Sequence, residues 1–132
     1  EKTEYLAGWQ RAKADFINAR KDEERARAEF VKFATEGILR EVLAVADSLE
    51  LAGKSGGPIY AQLMEILKKE GVEPIGSLGK KFDPMYHEAL ETIPTDDESK
   101  DGAVLEEIQK GYILYDRVLR PTKVKIGVYK NI

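Results

Sequence analysis

The sequence predicts an α+β chain: a long N-terminal coiled-coil helix, a short helix that completes a dimeric four-helix bundle, and a small C-terminal all-β wing. Three observations carry this. From Trp9 to Glu36 there is neither glycine nor proline, and the residues are mostly Ala, Glu, Arg, Lys and Phe, which a helix accepts. The stretch "GKSGGP", Gly53 to Pro58, then stops one element and starts another. After Gly71 the vocabulary turns to short β-branched and apolar runs. Residues 1–71 therefore read as helical and residues 72–132 as β.

The elements follow in order. The first helix can continue past Gly37 through "ILREVLAVADSLELA", because one interior glycine costs only about 1 kcal/mol relative to alanine. Its first half carries a weak seven-residue seam. Trp9, Phe16, Glu23 and Phe30 form one series, and Tyr5, Ala12, Ala19, Ala26 and Phe33 the other. Over about 45 residues such a helix would span roughly 70 Å and be unstable alone, so it calls for a second helix, most simply its own copy. From Val31 the apolar face widens: Val31, Ala34, Ile38, Val42, Val45 and Leu49 share a stripe, with Leu39, Leu43 and Ala46 beside it. A short helix from about Ile59 to Glu70 offers Ile59, Leu63, Ile66 and Leu67, and Gly71 supplies its left-handed terminus. Ile38, Val42, Leu43, Leu49, Leu63 and Leu67 are the expected dimerisation residues of a bundle built from two chains. The competing arrangement is a monomeric helical hairpin capped by a small sheet, which leaves Trp9 and Phe16 uncovered. Beyond it, "PTDDESKDG" is a polar loop, and the strands are expected from Ala103 onward.

Composition excludes several functions. The 132 residues carry a formal charge of −3, so no positive excess points to nucleic acid or anionic lipid. There is no cysteine, which removes disulfides and thiolate metal sites. No apolar run approaches the roughly 20 residues that cross a bilayer, and the expected setting is soluble and cytoplasmic. The chain opens on Glu1 rather than methionine, so its natural N-terminus is expected upstream. "GKSGGP" lacks the GxxxxGK[ST] order and a preceding strand, which makes it a helix connector rather than a phosphate loop.

"FDPMYHEALETI" holds the only histidine. His87 has no second histidine and no cysteine to complete a metal site or a nucleophilic pair. The reading that remains is structural: Asp83 caps backbone N–H groups in a turn and His87 bonds to nearby main chain. No cofactor, metal or nucleotide is expected on this chain, and no enzymatic constellation is visible.

"ADFINARK" and "FVKFATEGILREVLAVADSLELA" resemble the helical part of the GrpE family, nucleotide exchange factors of DnaK-type chaperones. "GVEPIGSLGKKFDPMYHEAL" with "QKGYILYDRVLRPTKVKI" is similar to that family's C-terminal signature, in which Phe82-Asp83-Pro84, His87, Ala89, Gly111-Tyr112, Asp116, Leu119-Arg120 and Val124 fall in order. Thr122 departs from the pattern, which usually has Ala or Ser there. The resemblance implies a parallel homodimer with a paired-helix stalk, a four-helix bundle and two β-wings. It also implies a partner, the nucleotide-binding domain of a DnaK-type chaperone, whose cleft is opened to release ADP, allowing ATP to rebind and the chaperone's substrate to leave. The site residues it implies are Arg117, just after a tight turn, with Ile108 and Ile126 near the same face. Ile108 and Ile126 read equally well as core of the small sheet. Arg20 belongs to a cluster of alternating charges that reads as a solvated helix face, with stalk contact to the chaperone as the other reading. Periodicity does not choose between an exchange factor and a coiled-coil dimeric scaffold whose β-domain binds another protein or peptide. The resemblance does.

Overall fold

The computed structural model describes residues 2–130. The order is α1 (Lys2–Phe33), α2 (Glu36–Leu51), α3 (Pro58–Lys69), β1 (Val72–Pro74), β2 (His87–Thr95), a 3-10 turn (Glu98–Lys100), β3 (Val104–Gln109), β4 (Tyr112–Leu114), β5 (Arg117–Arg120) and β6 (Thr122–Tyr129). These fall into two compact units, Glu1–Thr35 and Glu36–Ile132.

The first unit is α1. None of its described residues is buried, and Tyr5, Phe16 and Phe30 are 76%, 65% and 71% exposed. Its surface is laced by short-range pairs: Lys13 lies 5.2 Å from the Trp9 ring, and Arg20 reaches Glu24 at 4.0 Å. Pairs of this kind contribute only a few tenths of a kcal/mol each. The helix ends at Phe33, with a turn at Ala34–Thr35, so the single long helix expected through Gly37 is two helices. Gly37 itself is helical. The break falls where Thr35 and Glu36 supply residue types favoured at a helix start, a short hydroxyl side chain followed by an acid.

In the second unit α2 turns Leu39, Leu43 and Ala46 inward, and α3 turns in Tyr60 and Leu67. The connector Ala52–Gly57 joins them, as its composition predicts. Tyr60 donates to Glu50 Oε1 at 2.7 Å, tying the start of α3 to the end of α2. Gly71 then has φ +88°, and its carbonyl accepts from the Tyr115 N–H at 2.8 Å. A Cβ at Gly71 would collide with the Tyr115 ring, so both conformation and space call for glycine there.

The strands form two three-stranded sheets, ordered β1-β4-β5 and β2-β6-β3. The first is antiparallel, with Val72 opposite Leu114. In the second, β6 is central, pairing parallel with β2 and antiparallel with β3. Only Pro121 separates β5 from β6, so the chain passes directly from one sheet to the other. Gly111 permits the close crossing, because a Cβ there would overlap the backbone of Arg120, Pro121 and Thr122. The core of the β region contains Val72, Val104, Tyr112, Leu114, Leu119 and Val124, each no more than 2% exposed. A polar element sits inside it: the Thr122 Oγ1 accepts from the Gly111 N–H at 3.0 Å and from the Ser77 hydroxyl at 3.2 Å.

β2 is the element the sequence hides. Its residues read as a turn followed by polar loop because most of them are exposed and Pro94 lies within it. A strand with a neighbour on one side only tolerates both features.

Candidate interaction surface

The polar cluster around His87 is a folding device. The Asp83 N–H donates to His87 Nδ1 at 2.9 Å, the His87 N–H returns to the Asp83 carbonyl at 2.9 Å, and Asp83 Oδ1 accepts from the Met85 N–H at 3.0 Å. His87 is 6% exposed and its ring centroid lies 5.9 Å from that of Phe82. This is the capped turn expected from the sequence. Among the described residues no group of three or more His, Cys, Asp or Glu is placed to hold a metal.

The surface around β5 is built differently. β4 and β5 are joined by Tyr115 and Asp116, with Tyr115 at φ 55°, a left-handed position that a two-residue hairpin turn demands. Arg117 follows at once, its side chain 53% exposed. Its Nη1 donates to Glu36 Oε2 at 3.3 Å, while Arg40 Nη2 donates to Glu36 Oε1 at 3.0 Å. The turn arginine is therefore held over the first turn of α2.

Farther along β5, Arg120 makes a two-pronged pair with Asp47, Nη1 to Oδ2 at 2.7 Å and Nη2 to Oδ1 at 2.6 Å. Its Nε donates to the Lys110 carbonyl at 2.8 Å, and the guanidinium lies 5.4 Å from the Tyr112 ring. Gln109 Nε2 donates to the same Asp47 at 3.3 Å. Lys110 Nζ reaches Glu50 Oε1 at 3.3 Å, the oxygen that also accepts from Tyr60. Burial and the bond to Glu50 push the Tyr60 hydroxyl up to about 12. Burial, then the neighbouring Tyr60 hydroxyl, raises Tyr112 as well, whose oxygen is buried without a partner in hydrogen-bond geometry.

Sequence reasoning passed over Asp47 and named Arg120 only as a position of the family signature. A signal was present: Asp47 follows Leu39 and Leu43 at steps of four, so it prolongs the inward stripe of α2, where an acid calls for a partner.

The other expected site residues separate. Ile108 on β3 is 45% exposed and lines a cleft of about 450 Å³ with Leu51, Leu90 and Lys123, so it is not core. Ile126 on β6 is half-buried opposite Val104 and Thr92. Ile108 and Ile126 share the second sheet, whereas Arg117 begins β5 in the first. Arg20 lies in the other unit, exposed and beside Glu24. Of the expected dimerisation residues, Ile38 is 66% exposed and Val42, Leu49 and Leu63 are half-buried. Leu43 and Leu67 are 0% and 1% exposed in the single chain.

The GrpE family profile matches residues 1–128, through both the helical half and the two sheets. The chain belongs to the GrpE family. The GrpE protein of Methanothrix thermoacetophila is 43% identical over 120 residues, covering 89% of this chain and 67% of that protein. That of Methanosphaera stadtmanae is 40% identical over 132 residues, covering 93% and 76%. Francisella tularensis subsp. holarctica has a GrpE 40% identical over 129 residues, covering 88% and 66%. Membership in the GrpE family makes the chain a co-chaperone and not an enzyme. No helix among its described residues is long and apolar enough to cross a membrane.

Proposed function

We propose that the protein is the nucleotide exchange factor of a DnaK-type chaperone: it binds the chaperone's nucleotide-binding domain and opens the cleft to release ADP. The observation that carries this is the family match over residues 1–128. The exposed Arg117 at the β4–β5 turn and the exposed Ile108 agree with it. An arginine held at a turn offers a fork to a carboxylate of the partner.

The work is done by differential binding. A ligand shifts a conformational equilibrium only by the difference between its affinities for the two states. An acceleration of several thousandfold corresponds to about 5 kcal/mol in favour of the open cleft or the transition to it. No nucleotide binds the exchange factor itself, and the setting is cytoplasmic. Reciprocity gives the test: ADP must weaken binding of this protein to the chaperone by the factor by which the protein weakens ADP. Calorimetric titration of the chaperone's nucleotide-binding domain, nucleotide-free and ADP-loaded, should give much tighter binding to the first. Equal affinities would remove the mechanism.

The working form is a homodimer, with residues 1–71 dimerising and residues 72–132 forming the wing. Its bundle uses the stripe that the single chain leaves open: Ile38, Val45, Ile59 and Ile66, 66%, 53%, 63% and 51% exposed, with Val42, Leu49 and Leu63 between them. Arg20 contributes a stalk contact to the chaperone.

A further inference from the structure

The strand that carries Arg117 is fastened to α2 along its whole length. At its first residue Arg117 pairs with Glu36, the Leu119 carbonyl accepts from Arg40 Nε at 3.1 Å, and at its last residue Arg120 forks onto Asp47. The contacts advance in the same direction on both elements, so they fix the orientation of β5 as well as its place. They are unequal. The Arg117–Glu36 pair involves an arginine 53% exposed, where water and salt weaken it. Asp47 and Arg120 are only 21% and 20% exposed, and their geometry is two-pronged. The Lys110 carbonyl and the Tyr112 ring orient the guanidinium further, and Gln109 orients the carboxylate. Removing either half would leave the other charge enclosed without its counter-ion. The buried end of β5 is thus the anchor, and the exposed end is what it presents.

We propose that Asp47 and Arg120 are positioning residues for partner recognition: their fork sets the pose of β5, and through it the pose of Arg117, without itself touching the partner. The inference rests on the exchange-factor reading above. Lysine cannot replace Arg120 in this role, because a point charge lacks the planar fork.

The full chain carrying Asp47→Asn, Arg120→Lys, or the reversed pair Asp47→Arg with Arg120→Asp tests it by two readouts. The first is amide hydrogen exchange of the protein alone, comparing residues 117–120 with the central strand 122–129 as the measure of a folded wing. Both single variants should speed exchange at 117–120 at least tenfold and leave 122–129 protected. The second is release of a fluorescent ADP analogue from a DnaK-type chaperone as the exchange factor is titrated. Both single variants should raise the half-saturating concentration about tenfold and keep the plateau rate within twofold, and the reversed pair should recover most of the loss. Unchanged exchange at 117–120 overturns the proposal, as does an unchanged half-saturating concentration. Exchange rising equally in 122–129 for Arg120→Lys also overturns it, since the pair would then serve stability alone. If the unmodified protein leaves ADP release unaltered, the exchange-factor reading and this role fall together, while hydrogen exchange still reports whether the fork holds β5.

Discussion

Replacing Thr122 with valine removes one hydroxyl from the interior of the wing and keeps the shape of the side chain. Thr122 is 0% exposed, and its oxygen accepts from Gly111 N–H at 3.0 Å and from Ser77 at 3.2 Å. After Thr122→Val the buried Gly111 N–H has lost that acceptor, at about 1–3 kcal/mol. Ser77 loses less, because its hydroxyl already lies 3.4 Å from the Ile75 carbonyl and can close on it. The strand preference of valine returns a few tenths of a kcal/mol. The net is about 2 kcal/mol, or roughly 8–16 °C in melting temperature for a unit of this size. Thr122→Ser keeps the acceptor and gives up one methyl, about 1 kcal/mol. Near-ultraviolet circular dichroism of the tyrosines is the appropriate melting probe, since Trp9 lies in α1, in the other unit. Exchange of the Gly111 amide should accelerate in the valine variant and hold in the serine variant. A valine variant that melts at or above the serine variant would refute the assignment of Thr122 as the acceptor that completes the core.

Other expectations follow from the same geometry. Leu43→Ala should cost about 2–5 kcal/mol in the stability of the single chain, because the side chain is fully enclosed. Ile38→Asp and Ile66→Asp should instead leave the chain folded and dissociate the dimer, which sedimentation would separate from unfolding. Tyr60, held at about 12, and Tyr112, also raised, should ionise above the ordinary tyrosine value near 10 in a spectrophotometric titration. An unfolded tyrosine ionises near 10, so the unfolded state loses its proton first as pH rises. Stability should be full below about pH 10 and fall above it, and Tyr60→Phe should reduce that fall. Arg117→Ala should leave helix content unchanged and slow stimulated ADP release at least tenfold, about 1.4 kcal/mol.

Much of the fold was legible because it is written in local signals. The connector at Gly53 to Pro58, the left-handed Gly71 and the Asp83 cap each depend on a few adjacent residues with particular backbone preferences. The break at 34–35 was less so: the visible glycine at 37 suggested a weak point, while the second helix starts at Glu36, one residue earlier. β2 escaped because an edge strand can be polar along most of its length. The helix stripe at 38, 42, 45 and 49 and the one at 39, 43 and 46 are adjacent on one helix, and only the wing's packing decides which is inward. Leu43, expected at the interface, lies on the stripe that the single chain encloses. Arg117 was legible as a turn residue, but its pairing with Glu36, 81 positions away in sequence, was not. The Asp47–Arg120 fork is equally non-local, and its one local trace is an acid on an otherwise apolar face.

Stopped-flow release of a fluorescent ADP analogue from a DnaK-type chaperone, with and without saturating amounts of this protein, tests the central claim most directly. The account predicts an acceleration of roughly a thousandfold or more, with no signal from the analogue when it is mixed with this protein alone. A release rate that stays at the chaperone's own value, from a protein shown to be folded and dimeric, would contradict it.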